Sequence, residues 1–135
     1  MVDRRSIVPV GDDIPADVAA LLGCAVLVGP GAVLTVRPPR TGITVAVIGL
    51  GGVGVAALMV AVAAANCRVI AGGTLETKLV QARELGAAEA LTPQQAAEAG
   101  VAPDLVVEAA GHPLASSPRS PGGVPVSYLR GTHVP

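Results

Sequence analysis

Phenylalanine and tryptophan are absent from these 135 residues, and Tyr128 is the single aromatic side chain. A core without large rings has to be assembled from Ala, Val, Leu and Ile. Their small volumes suit close packing of helices on a sheet better than a ligand-sized cavity. Charge is scarce too: 14 % of the residues are charged, and nine basic against ten acidic side chains leave a net charge of -1. Nucleic-acid binding wants a basic stripe interleaved with aromatic platforms, and neither is present, so no nucleic-acid partner is expected. Cysteine is limited to Cys24 and Cys67, far apart and in no CxxC pair, which argues against a disulfide framework. The stretch Met1-Val2-Asp3-Arg4-Arg5 carries charges with no apolar run before Pro9. That predicts no secretory signal and a cytoplasmic location.

Apolar residues, by contrast, make up 51 % of the chain. This excludes a disordered, solvating chain and leaves a mostly buried α/β domain or something membrane-inserted. The length is that of one ordinary domain. Two runs without charge, 18–36 and 41–67, are each long enough to cross a bilayer, which takes roughly 20 residues. Within the second run, however, the β-branched stretch Ile43 to Ile48 reads as a buried parallel strand. It stops at Gly49-Leu50-Gly51-Gly52-Val53-Gly54, and an Ala-rich helix follows over 55–65. Strand, glycine turn and helix account for that run without lipid.

The alternation continues downstream. Strands are predicted near residues 43 to 48, 68 to 71, 89 to 91 and 104 to 108, with a helix from Glu76 to Leu85 and Gly86 as its C-cap. Thr92-Pro93-Gln94-Gln95 has the form of a capping box with Pro at the first helical position, so a helix is predicted to run to about Gly100. Such βαβαβ order argues for a parallel sheet covered by helices. Upstream, Pro15 to Leu22 reads as a helix with Asp12 and Asp13 favourably near its start, and Arg37-Pro38-Pro39-Arg40 as a stiff connector. Three segments result: a tail over 1–13, the domain over 14–112, and a Pro- and Gly-rich tail over 113–135. A last strand over 124–129 would be confined by Pro125 to an edge or a bulge.

Chemistry enters at the glycine cluster. In Gly49-x-Gly51-x-x-Gly54 the first glycine allows a tight strand-to-helix turn, the second lets a pyrophosphate approach the backbone, and the third lets the helix lie close on the strand. The helix N-terminus then offers free N–H groups to an anion. The bland alternative is a glycine-rich packing turn or a membrane hairpin.

Several separated segments also resemble one family in order and spacing. They are Asp13 to Cys24, Thr44 to Gly54, Ala82-Arg83-Glu84-Leu85-Gly86-Ala87, and Val107-Glu108-Ala109-Ala110-Gly111-His112-Pro113. They resemble the zinc-dependent alcohol dehydrogenases of the medium-chain dehydrogenase/reductase superfamily, over roughly Arg5 to Gly123. The resemblance implies a partial doubly wound parallel sheet, a Rossmann-like NAD(P)-binding domain without the GroES-like catalytic domain of that family. It implies NAD(P) held by Gly49, Gly51, Gly52, Val53, Gly54, Gly73, Lys78, Ala109, Ala110 and Gly111. Alcohol oxidation with a catalytic zinc is the family's activity.

Departures from the family fall at functional places. Gly73 stands where the family has an acidic residue that accepts hydrogen bonds from the adenosine ribose. Its loss removes a repulsion against a 2′-phosphate, and Thr74, Thr77 and Lys78 are near, so NADP is expected to be somewhat more compatible than NAD. Lys78 reads equally well as a solvated helix charge. Val28 replaces a Thr that the family places near the nicotinamide. Cys24 matches a family position for a catalytic-zinc ligand, but such a site takes about three protein ligands, and the other segments that supply them have no match in this sequence. Zinc binding is therefore not expected, and Cys24 reads as a small buried thiol in a helix-to-loop bend, Cys67 as core. His112 reads as a surface loop residue and His133 has no assigned role.

Three functions follow. The favoured one is a truncated alcohol dehydrogenase-like chain that keeps the cofactor domain and is inactive by itself, with no residue named as catalytic. The second is a dinucleotide-binding module that completes a site with a separate catalytic chain or as a homo-oligomer. The third is a small membrane protein using the two apolar runs as spans, against which the favoured reading expects no membrane partner.

Overall fold

A computed structural model describes residues 3–36, 41–64 and 67–111. The expected connector at Arg37–Arg40, the tail over 113–135 with its candidate strand, and His112, Tyr128 and His133 lie outside these residues.

Four parallel strands form one sheet: β1 (Thr44–Ile48), β2 (Arg68–Gly72), β3 (Glu89–Leu91) and β4 (Leu105–Glu108), in the order β3-β2-β1-β4. Each strand falls within a residue of its sequence prediction. Burial on both faces explains why β1 is an apolar run without alternation. Ala46 is buried on one face of the strand; on the other, Val45 lies between Val69 and Leu105, and Val47 between Ala71 and Val107. The six residues of that second face are buried, with Leu58 and Leu79 from the helices completing the core. Full burial of one such Leu or Val stabilises by roughly 1.5–3 kcal/mol.

Helix α3 (Gly52–Ala63) follows β1 and packs on β1, β2 and β4. Its buried positions are Gly54, Ala57, Leu58 and Ala61, the i, i+3, i+4, i+7 spacing of one helix face. Three of the four are Gly or Ala, which brings the helix axis close to the sheet. The helix begins at Gly52, three residues before the predicted start. Helix α4 (Glu76–Glu84) ends where expected, with Gly86 N–H donating to Arg83 O at 3.0 Å, and the Arg83 side chain ties it to β3 through Ala90 O at 2.8 Å. In α5 (Pro93–Glu98) the capping box is complete: Thr92 Oγ1 accepts from Gln95 N–H at 3.3 Å, and Gln95 Oε1 accepts from Thr92 N–H at 2.9 Å.

Two sequence expectations are corrected. After α1 (Ala16–Leu22), where the sequence reads a helix-to-loop bend at Cys24, residues Ala25–Val36 form instead a second helix, α2, with Pro30 inside it. Pro costs about 3 kcal/mol and Gly about 1 kcal/mol in a helix interior, so local preference opposes this helix at Gly29, Pro30 and Gly31. Tertiary packing overrides it. Gly29 lies so close to α3 that a Cβ there would collide with Val53 O and stand 2.7 Å from Ala57 N, and Val33 is fully buried. The second correction is Cys24, which is exposed in the bend between α1 and α2 rather than buried. Neither helix shields it, since α1 has no buried residue. Cys67 is half-buried against the core, its Sγ donating to Ala61 O at 3.1 Å.

Helices α1 and α2 also carry the exposed apolar surface: Val18, Leu21, Leu22, Leu27 and Leu34 are all open to solvent. Together they form a segment, Ala16–Thr35, with mean hydropathy 2.1 that is long and apolar enough to cross a membrane.

Candidate functional site

The chain leaves β1 toward β2 on one side and later returns to place β4 on the other, so the strand order reverses between β1 and β4. In open parallel sheets, ligands bind outside the carboxyl ends of the strands at such a reversal. Two loops meet there: Gly49 to Gly51, which leads into α3, and Ala109 to Gly111, which follows β4. They are joined by the Ala109 N–H, which donates to Ile48 O at 2.7 Å.

Each glycine of the motif sits in a different environment. Gly49 has φ of 91°, a left-handed conformation that side-chain-bearing residues rarely adopt. It also lies under the second loop: a Cβ would come within 2.7 Å of Ala109 C and Ala110 Cα. At Gly54 a Cβ would collide with Gly49 O and stand 2.9 Å from Gly49 C. Gly51 is different. It has φ of -80°, ordinary extended backbone, and a Cβ there would meet nothing within 4 Å. Gly51 is the N-cap of α3 and offers no side-chain cap; the first turn carries no acidic residue. The leading N–H groups of a helix have no intrahelical acceptor, and the helix dipole makes that end attractive to an anion. Gly52 faces α2, where a Cβ would be 3.4 Å from Ala25 Cβ, and Val53 is half-buried.

Gly73 follows β2 at the same edge of the sheet, its N–H donating to Leu91 O at 3.1 Å. A Cβ at Gly73 would be 3.2 Å from Leu50 Cδ1, so the motif's Leu50 touches this position directly. Lys78 is exposed on α4, its Nζ donating to Gln81 Oε1 at 3.3 Å. That bond is within its own helix, and nothing among the described residues ties Lys78 to the glycine turn. Glu108, which the sequence reading places in the family-like segment but gives no role, is the buried carboxylate that ends β4 and accepts from both Ala110 N–H and Gly111 N–H. A charge closing an otherwise apolar strand was the available signal.

The residues present do not fit a catalytic zinc. Among the described residues, no three His, Cys, Asp or Glu side chains come together as a metal site, and Cys24 is exposed. A shallow cavity of about 420 Å³, lined by Val62, Cys67, Val69 and Gly86 among others, opens at the opposite, amino edge of the sheet and has no part in the glycine site.

No protein-family model matches the chain. Alcohol dehydrogenase B of Mycobacterium tuberculosis is 40 % identical over 102 residues, which is 76 % of this chain and 27 % of the relative. The chain thus spans about a quarter of the length of the curated relatives it matches. Among solved structures, an alcohol dehydrogenase zinc-binding domain protein from Burkholderia ambifaria superposes with a TM-score of 0.68 at 32 % identity, over 78 % of this chain and 30 % of that one. The quinone oxidoreductase of Thermus thermophilus, solved also as a complex with NADPH, gives a TM-score of 0.64 at 32 % identity, over 79 % and 37 %. By sequence and by fold, the chain is similar to part of the zinc-type alcohol dehydrogenases, matching their Rossmann-like cofactor-binding domain.

Proposed function

We propose that the chain binds a nicotinamide dinucleotide at the turn from β1 into α3, with the pyrophosphate against Gly51 and the backbone N–H groups of Gly52 and Val53. The observation that carries this reading is the contrast among the three motif glycines. Gly49 and Gly54 are glycine because the protein itself fills the space a Cβ would need, whereas the space over Gly51 is empty. Folding asks of Gly51 only a modest N-cap preference; a ligand pressed onto the backbone gives the stronger reason for glycine. Ala109, Ala110 and Gly111 would wall the nicotinamide side and Gly73 would border the adenosine ribose. A bound cofactor of this kind supplies a hydride acceptor or donor. The chain's own residues bind and orient it. The unit that does so is the segment over 14–112, flanked by tails over 1–13 and 113–135, and we assign it to the cytoplasm. The packing of Gly29 and Val33 onto α3 favours this reading over membrane insertion of the first apolar run.

The NADPH complex of a relative supports the class of cofactor without choosing NADP over NAD. Gly73 supports NADP, because no carboxylate is present to repel a 2′-phosphate. Replacing Gly73 by Asp should raise NAD affinity and lower NADP affinity, each by about ten-fold, the equivalent of roughly 1.4 kcal/mol. The fold should tolerate the change, since the nearest obstacle is the flexible end of Leu50. Calorimetry with both cofactors checks it, and an unchanged preference would overturn the argument.

By itself the chain should not oxidise alcohols. In the family a zinc ion polarises the alcohol oxygen, and an ion held for that purpose needs about three protein ligands and an open position. Zinc-loaded protein is expected to show no alcohol-dependent cofactor reduction above that of Cys24→Ser. Turnover lost on that substitution would reveal a working site. The second reading, a module that completes a site with a separate catalytic chain, is favoured by the position of Cys24. It is exposed and precedes Ala25, which faces Gly52 of the glycine turn.

A further inference from the structure

Glu108 is 8 % exposed and is the one buried charged side chain among the described residues. Burying a carboxylate is costly unless its oxygens accept hydrogen bonds. The partners of Glu108 make its retention informative. Its Oε1 accepts from Ala110 N–H at 2.7 Å and from Gly111 N–H at 2.8 Å, the short distances of charge-assisted bonds. Both donors are backbone N–H groups of the loop that follows β4, on residues exposed overall, while the bonds themselves are part-buried.

Their effect is to give an exposed loop one shape. Gly111 has φ of 65°, so the chain leaves the loop by a left-handed residue directly after the second N–H. With Ala109 held to Ile48 O, the whole loop is pressed onto Gly49, and Ala109 Cβ lies 3.6 Å from where a Cβ of Gly54 would stand. The loop therefore forms the wall of the crevice beside the N-terminus of α3. We propose that Glu108 is a positioning residue: it latches the loop over residues 109–111 against the glycine turn, so that the crevice is shaped for a dinucleotide before one arrives. This rests on the dinucleotide reading above. It adds a residue that touches no ligand and acts through two backbone N–H groups. Preorganisation of this kind raises affinity by removing an ordering cost at the moment of binding.

The test uses the full chain and three variants, with NADP and NAD as probes. Glu108→Ala should bind about ten-fold more weakly with its circular dichroism spectrum unchanged. Glu108→Gln, whose amide oxygen can accept the same two bonds, should bind within about two-fold of the parent. Gly111→Ala, which leaves Glu108 intact but strains the left-handed residue, should weaken binding in the same direction. Hydrogen exchange at the amides of 110 and 111, slow in the parent and fast in Glu108→Ala, reads the latch without any ligand. Equal affinities in Glu108→Ala and the parent would overturn the proposal, as would a Gln variant as weak as the Ala variant. A parent that binds neither cofactor while those two amides are protected would instead sink the dinucleotide reading.

Discussion

Gly54→Ala is expected to unfold this chain. The added methyl group would occupy the position of Gly49 O and come within 2.9 Å of Gly49 C. Both are backbone atoms of a turn that is itself pinned, since Gly49 N–H donates to Gly72 O at 2.9 Å and lies beneath Ala110. Nothing nearby is a flexible side-chain end, so relief requires α3 to slide off β1. That helix delivers Ala57, Leu58 and Ala61 to the core. Overpacking with side-chain relaxation typically costs about 1–3 kcal/mol. Displacing the central helix of a domain whose net stability is of the order of 5–15 kcal/mol should exceed that and remove the cooperative transition. Thermal unfolding followed by circular dichroism checks it. Gly31→Ala is the control: it adds the same methyl inside α2, where nothing lies within 4 Å, and should be neutral or stabilise by about 0.5–1 kcal/mol. A Gly54→Ala chain that melts with the parent would refute the close packing of α3 on the turn.

Gly51→Val should leave the fold intact and remove dinucleotide binding. Its backbone geometry suits any residue, and its Cβ direction is open. The structural cost is limited to an N-cap preference of a few tenths of a kcal/mol to about 1 kcal/mol. Yet the valine methyl groups would stand over the leading N–H groups of α3, where the pyrophosphate is proposed to sit. A loss of at least about 100-fold is expected, roughly 2.7 kcal/mol, because the anion forfeits its backbone donors and the helix end together. Calorimetry and an unfolding curve on the same sample separate the two effects. Unchanged affinity would move the ligand away from Gly51. The pair of variants divides one motif into its parts: Gly54 answers to the fold, Gly51 to the ligand.

Much of this architecture could be read along the chain because its signals are local. β1 is a dense β-branched run, and β2 and β4 each carry a β-branched pair, Val69-Ile70 and Val106-Val107. Thr92 and Gln95 cap each other across three residues. Gly49, Gly51 and Gly54 sit between a strand and a helix, the context that gives their spacing meaning. The start of α3 is harder to read, because Gly52 and Gly54 look like turn residues. They are helical because close packing on Gly49 excludes anything larger at Gly54.

What the sequence by itself determined is a parallel α/β sheet with a glycine turn leading from its central strand into a helix, since periodicity, capping and glycine spacing act between near neighbours. The tertiary structure alone decided three further matters. Helix α2 exists because Gly29 meets Val53 and Ala57 of α3. That contact, across more than twenty residues of chain, reverses the local preference of Gly29, Pro30 and Gly31. Cys24 is exposed because neither α1 nor α2 folds over it. Glu108 is a latch because the consecutive N–H groups of Ala110 and Gly111 converge on one oxygen of its buried side chain. Burial and hydrogen-bond partners are properties of where segments meet in space, and no local pattern carries them.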